Sequence, residues 1–234
     1  MVQQPEKNGL TIYPYRVYSV AMGIKNSVFW LLTLCLLAAS SAAQARDVSY
    51  AGGWTLMVHN DASMNASHIH YSPTAKYSIG WRHEYMRESD ANMDAAQLNW
   101  LLLRQNNPGS QANLYLKSGI GVAYDGDDVE PAAFTGLAAD WENRRFFTMY
   151  ENHFMTAGSI DKSARHMARV GVAPYIGDYG DLHTWLMLQA DYDAGDDTAF
   201  SVTPLVRLFK GPVLGEAGYN LQKDTALFNL MIRF

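Results

Sequence analysis

TALFNLMIRF, residues 225–234, closes the chain. Counted back from the end, every second residue is apolar: Phe234, Ile232, Leu230 and Phe228. Between them lie Arg233, Met231, Asn229 and Leu227, a mixed set. Successive side chains of an extended strand leave opposite faces, so this spacing predicts a strand with one wholly apolar face. Chain ends are ordinarily polar and ragged. One that finishes on an aromatic ring asks what its apolar face meets, if not water.

Working outward, the same period of two recurs along residues 46–234. Residues 75–86, AKYSIGWRHEYM, put Tyr77, Ile79, Trp81 and Tyr85 opposite Lys76, Ser78, Gly80, Arg82 and Glu84. In 112–124 the set Leu114, Leu116, Ile120, Val122 and Tyr124 opposes Asn113, Tyr115, Lys117, Gly119 and Gly121. Residues 164–176 and 199–209 repeat the pattern, with Arg169 and Arg207 on their polar faces. Strict alternation over more than ten residues marks β-strands about twice the usual globular length. Strands of ~9–11 residues suit a tilted crossing of a bilayer. The expected strands are 50–59, 66–71, 75–86, 95–105, 112–124, 132–142, 145–155, 165–176, 182–192, 199–209, 213–221 and 225–234. Ten strands is the alternative if 66–71 fails to span or 132–155 is miscounted.

The front of the chain is different. SVFWLLTLCLLAASSAA, residues 27–43, is the only strongly apolar run. It follows Lys25 and ends near Ala43-Gln44-Ala45, which predicts a secretory signal at 22–45 cut after Ala45. Met22 opens a complete signal by itself, so residues 1–21 are expected to be an upstream extension. The run is too short for a helical membrane span. Cys35, the one cysteine, falls inside it, which leaves the remainder without thiol, disulfide or cysteine metal site. Removing 1–45 takes away Lys7, Arg16, Lys25 and Glu6 and moves the formal net charge from −5 to −7. So acidic a surface argues against a nucleic-acid partner.

The connections fall into two alternating sets. NDASMN, RESDANMD, DGDDVEP, TAGSIDKS, DAGDDT and QKD are mostly acidic and lie on one rim, here the far rim. SPT, NNPGSQ, NR, GDYGD and KGP are mostly tight turns and lie on the near rim with both chain ends. An even strand count, short turns on one side and longer loops on the other suit a membrane barrel. The terminal Phe234 with Ile232, Leu230 and Phe228 resembles the C-terminal assembly signal of bacterial outer-membrane β-barrel proteins. That resemblance implies an all-β, transmembrane, antiparallel up-and-down barrel of about twelve strands in the outer membrane. It also implies contact with lipid and lipopolysaccharide, and with the machinery that inserts barrels. A lipid-exposed strand edge would leave N–H and C=O groups unsatisfied at several kcal/mol each, so the last strand must pair with the first.

On this reading the apolar face is the outside, with aromatic rings at the strand ends forming interface girdles. The lumen then carries Arg82, Glu84, Lys117, Glu151, Arg169, Asp191 and Arg207, with Asp140, Glu216 and Arg233 beside them. Mixed charges inside a ring of about twelve strands favour a narrow channel or a plugged barrel over a wide pore.

Two constellations bear on chemistry. LMVHNDASMNASHIH places Met57, His59, Met64, His68 and His70 in one hairpin, with Met57 opposite His68. Thioether and imidazole suit copper or silver ions, although methionine equally serves to fill gaps in packing. His70-Tyr71-Ser72 resembles the His-x-Ser pair of barrel lipid hydrolases, with both side chains on one face. Ser72 abuts Pro73 at the near rim and faces inward, away from lipid. The expectation is therefore a non-enzymatic, porin-like barrel, a narrow channel or structural protein with soft-metal handling attached. A lipid hydrolase using His70 and Ser72, or a short-loop receptor or adhesion barrel, is the alternative.

Overall fold

The computed structural model describes residues 47–126, 128–178 and 180–234. The signal segment, its cleavage point and the upstream extension lie outside the described residues.

Twelve strands follow one another: β1 (Gly53–Asn60), β2 (Met64–Thr74), β3 (Tyr77–Met86), β4 (Ala91–Asn107), β5 (Ser110–Asp125), β6 (Asp128–Asn143), β7 (Phe146–Ala157), β8 (Asp161–Val172), β9 (His183–Ala194), β10 (Phe200–Lys210), β11 (Val213–Asn220) and β12 (Thr225–Arg233). Each pairs antiparallel with its sequence neighbours, and β1 pairs with β12, so the sheet is a closed barrel. The seam is held at the near rim by Trp54 N–H to Phe234 O at 2.7 Å and Phe234 N–H to Trp54 O at 3.1 Å. Thus the terminal strand has both edges satisfied, as a lipid-facing strand requires.

Following paired residues once round the ring from Met57 brings the register back about 14 residues along β1, which corresponds to a strand tilt of about 40°. At that tilt about ten residues cover the ~25 Å apolar band of an outer-membrane barrel.

Polarity is inverted relative to a water-soluble sandwich. Ile79, Leu98, Ile120, Leu137, Val170, Leu188, Val206 and Phe228 are exposed on the outer face, while Glu84, Asn99, Arg169, Gln189 and Thr203 are buried within. Near the rim that holds the termini, Trp54, Tyr77, Trp100, Trp141, Phe146 and Phe234 are exposed outward; toward the other rim lie Phe154, Tyr192, Phe200 and Tyr219. These two belts of rings are the girdles that the alternation predicts.

Three details differ from expectation. β2 runs Met64–Thr74, well beyond 66–71, and carries a register shift between Tyr71 and Thr74. Pro73 lies inside that shift; it has no N–H to give the ladder, so the strand is irregular there. β4, β5 and β6 are 17, 16 and 16 residues long, so the acidic far-rim segments shrink to tight turns. The longest connection, 173–182, lies instead on the near rim, between β8 and β9.

Candidate functional site: the lumen

The inner face is wet at some levels and dry at others. Ala91, Met93, Ala95, Ala123, Ala132, Met86, Phe134, Met155 and Ala157 form a buried apolar cluster on β3 to β7. Here the methionines Met86, Met93 and Met155 fill space between alanines. Phe134 lies over Gly119, where any side chain would strike its ring. The Arg82 guanidinium carbon sits 5.4 Å from the centroid of that ring, a cation–π contact.

Two buried carboxylates are each clamped by two guanidinium groups. Glu84, fully buried, accepts Arg82 Nε at 2.7 Å and Arg165 Nη2 at 2.7 Å. Glu216, 4% exposed, accepts Arg169 Nη1 at 2.9 Å, Arg207 Nε at 2.6 Å and Asn229 Nδ2 at 2.6 Å. Gln189 joins this second group to Asp191 through Nε2 at 2.9 Å while accepting from Arg169 at 3.0 Å. Charge-assisted bonds of this kind are what make burial of ionised groups tolerable.

The Glu84–Arg165 bond has a geometric consequence. β3 and β8 are five strands apart in a ring of twelve, almost opposite one another. Twelve strands at ~4.8 Å spacing and that tilt make a ring about 24 Å across. Extended Arg and Glu side chains joined by a hydrogen bond span only about 15 Å between Cα atoms. The two walls therefore approach more closely than a circular section allows. The small alanines of β4 to β6 give the room for it. The ion pair is a strut across the lumen.

At mid-height Lys117 Nζ lies 2.9 Å from both Glu151 oxygens and 2.9 Å from Asp47 Oδ2. Toward the near rim Asn113 Nδ2 donates to Asp140 Oδ1 at 2.7 Å, and Asn113 Oδ1 accepts from Arg104 Nε at 2.8 Å. Arg207 also covers the Phe147 ring at 4.6 Å. A cavity of about 270 Å³ runs between these groups, lined from Asp61 and Asp193 near the far rim to Glu142, Phe209 and Leu214 near the other.

The far mouth is cross-linked by its own turns. Lys223 Nζ donates to Asp193 and Asp196, both at 2.7 Å, and Ser63 Oγ donates to Asp193 at 2.8 Å. Asp61 accepts the Ser63 and Met64 amides at 2.8 Å and meets His59 Nε2 at 2.7 Å. Burial alone would raise the Asp61 pKa, but His59, the Met64 amide and Arg165 together hold it below the usual carboxylate range.

All seven lumen charges expected from the alternation, Arg82, Glu84, Lys117, Glu151, Arg169, Asp191 and Arg207, stand on inward-facing positions. Arg165 and Asp47 escaped that reading. Arg165 shares its face with Arg169 four residues on, a signal the alternation contains; Asp47 precedes β1, where no period could flag it. The hairpin candidates are only partly gathered. Met57 pairs with His68 in register, but His59 is engaged with Asp61, and Met64 Sδ accepts from Arg82 at 3.4 Å. Among the described residues, His68 Nε2 and both ring nitrogens of His70 are buried without a hydrogen-bond partner. Among the described residues no group of three or more His, Cys, Asp or Glu side chains is placed to hold a metal ion. Ser72 belongs to β2, is fully buried, and its Oγ accepts the Ser49 amide at 3.0 Å, with no hydrogen bond to His70.

The outer face holds polar groups that the alternation did not single out, among them Tyr150 OH with His166 Nδ1 at 2.8 Å and a cluster around Asp94. His83 Nδ1 lies 3.1 Å from Asp94 Oδ1, Tyr124 OH donates to Asp94 Oδ2 at 3.0 Å, and Trp81 stacks on His83.

No family model matches the chain, and no curated protein matches it. Among solved structures it is similar to a KdgM porin in complex with disordered oligogalacturonate, at 8% identity and a TM-score of 0.46, over 78% of this chain and 98% of that one. A second KdgM porin structure gives 7% identity and a TM-score of 0.45 over the same shares. OccAB4 of Acinetobacter baumannii gives 10% and 0.40, over 76% of this chain and 56% of that one. The likeness is one of barrel architecture.

Proposed function

We propose that the protein is a bacterial outer-membrane channel of narrow bore that passes small polar solutes. The observation that carries this is the charged cavity of about 270 Å³ extending through the lumen between the two rims. The exposed apolar outer face and its two aromatic belts support a membrane setting. The strut and the clamped carboxylates support a small solute over a large one. Planar-bilayer recording of the refolded chain in potassium chloride tests the proposal. Discrete unitary currents are expected; a barrel that inserts and stays silent would refute it.

The unpartnered nitrogens of His68 and His70, with Met57 facing His68, favour a second reading in which the lumen also binds copper or silver ions. Calorimetric titration with Ag(I) checks it. Equal heats for wild type and a Met57→Ala/His68→Ala variant reject it.

A further inference from the structure

The stretch just ahead of β1 does not run along the rim. Gly53 N–H bonds Tyr50 O at 3.1 Å and Gly52 N–H bonds Ser72 O at 2.8 Å, closing a turn in which Gly52 has φ of +86°. A Cβ on Gly53 would stand 2.8 Å from Ser49 Oγ and 3.0 Å from the Tyr50 ring. Two glycines in succession thus let the chain double back. Beyond the turn, Val48 and Ser49 are each 2% exposed. Val48 packs on Tyr115 and Ala138, inward residues of β5 and β6, with Leu101 and Met149 beside them. The Ser49 amide bonds Ser72 Oγ at 3.0 Å, and Ser78 Oγ donates to Asp47 O at 2.9 Å. The Asp47 carboxylate then reaches Lys117 at 2.9 Å and lines the cavity.

We propose that Asp47–Ser49 is a strap that narrows the near half of the lumen and that the Asp47 carboxylate sets the charge selectivity there. This rests on the channel reading. The local charge decides the direction. Lys117 has two acidic partners, Asp47 and Glu151, and the buried Arg233 also acts on the Asp47 carboxylate. Removing Asp47 takes one negative charge from this group. The carboxylate favours cations past the docked strap, and that preference falls when the carboxylate is removed or the strap leaves. Among the described residues the strap is held by the ion pair to Lys117, two side-chain hydrogen bonds and one buried valine, with Arg233 and His70 also acting on its carboxylate, at the end of a glycine turn.

The test uses the full chain, with Cys35→Ser as background, refolded and reconstituted. Asp47→Asn keeps the shape and removes the charge. Gly52→Val disfavours the turn and displaces the strap by a different route. In potassium chloride gradients both are expected to lower the potassium-to-chloride permeability ratio at least about twofold, and Gly52→Val to raise conductance about twofold. Ser49→Cys is expected to react with a maleimide at least about tenfold more slowly in the folded barrel than after unfolding, and faster once Gly52→Val is added. An unchanged permeability ratio in a conducting Asp47→Asn variant overturns the proposal, as does Ser49→Cys labelling equally fast folded and unfolded. A barrel silent in wild type and in both variants sinks the channel reading, and with it Asp47's role in selectivity. Protection of Ser49→Cys would then still establish the docked strap.

Discussion

Replacing Arg165 by Ala separates the strut from the rest of the far-half network. Glu84 retains its bonds to Arg82 on the same strand, with Nε at 2.7 Å, so no carboxylate is left unpaired. The stability cost is then that of one charge-assisted hydrogen bond, about 1.5–3 kcal/mol, below the ~3–5 kcal/mol of orphaning a buried ion. Glu84→Ala is the opposite case: Arg82 and Arg165 lose their shared carboxylate, so its cost belongs at the upper figure. The effect on bore is larger for Arg165→Ala than the effect on stability. Six heavy atoms leave the lumen; at interior packing density they occupy on the order of 100 Å³, so conductance is expected to rise roughly 1.5- to 2-fold. The cavity they join is about 270 Å³. Unitary current in planar bilayers reads the bore, and urea unfolding of the reconstituted barrel reads the stability. Conductance unchanged within error, with the variant folded, would refute the claim that the Glu84–Arg165 pair crosses the conducting path.

Glu216→Gln keeps the shape of a residue that Arg169, Arg207 and Asn229 all contact; loss of its charge is expected to cost about 3 kcal/mol in the same unfolding assay, and a cost under about 1 kcal/mol would mean the site is hydrated. Leu188→Arg, on the outer face at mid-wall, is expected to cost about 2–4 kcal/mol in a bilayer; no penalty would contradict the outward assignment of that face. At the far mouth Asp196 is held below the usual carboxylate range, chiefly by its hydrogen bond from Lys223. A depressed carboxyl stabilises above its unfolded pKa, about 4, and that contribution is lost as pH falls through the lower folded value. Burial works against the Lys223 ammonium, but Asp193 and Asp196 raise its pKa, so its contribution is present below about 10.4 and lost as pH rises past the folded value. Amide protection in residues 195–199, the exchange rate corrected for its intrinsic pH dependence, is therefore expected to fall below about pH 4; protection that holds in acid would contradict the role of the Lys223–Asp196 bond.

Much of this was legible because a membrane barrel writes its fold in the plainest code a sequence has. Lipid on one side and a polar lumen on the other force a period of two on every strand, and the inward positions of Arg82, Lys117 and Arg207 follow from counting. Counting also places Met57 opposite His68 in a short hairpin. What it does not give is distance across the ring. Glu84 and Arg165 are 81 residues apart, and no local pattern says that β3 and β8 approach. The alanines that permit it, Ala91, Ala95, Ala123 and Ala132, look in sequence like weak strand formers rather than like a device. Strand ends blurred for a related reason. Asn, Asp and Gly mark turns, yet Asn92, Asp94 and Asp128 sit within paired strands, because ladder hydrogen bonds near a rim outweigh side-chain preference.

The closed ring also constrains how a passage could widen. Its wall is one continuous sheet with no free edge, so the backbone cannot part without breaking a full ladder of hydrogen bonds in lipid, at several kcal/mol per unsatisfied group. Any change in bore must come from what lies inside the ring. Among the described residues two kinds of object do: side-chain clamps, in which Glu84 and Glu216 tie strands together, and the Asp47–Ser49 strap. Releasing a clamp leaves buried guanidinium groups unpaired. Releasing the strap leaves Lys117 still paired with Glu151 at 2.9 Å. The strap is thus the cheaper element to move, and displacing it should widen the lumen with less loss of stability than Glu84→Ala or Glu216→Gln. Unfolding midpoints measured alongside conductance across those variants order the elements directly, and a Gly52→Val variant as destabilised as Glu84→Ala would reverse that order.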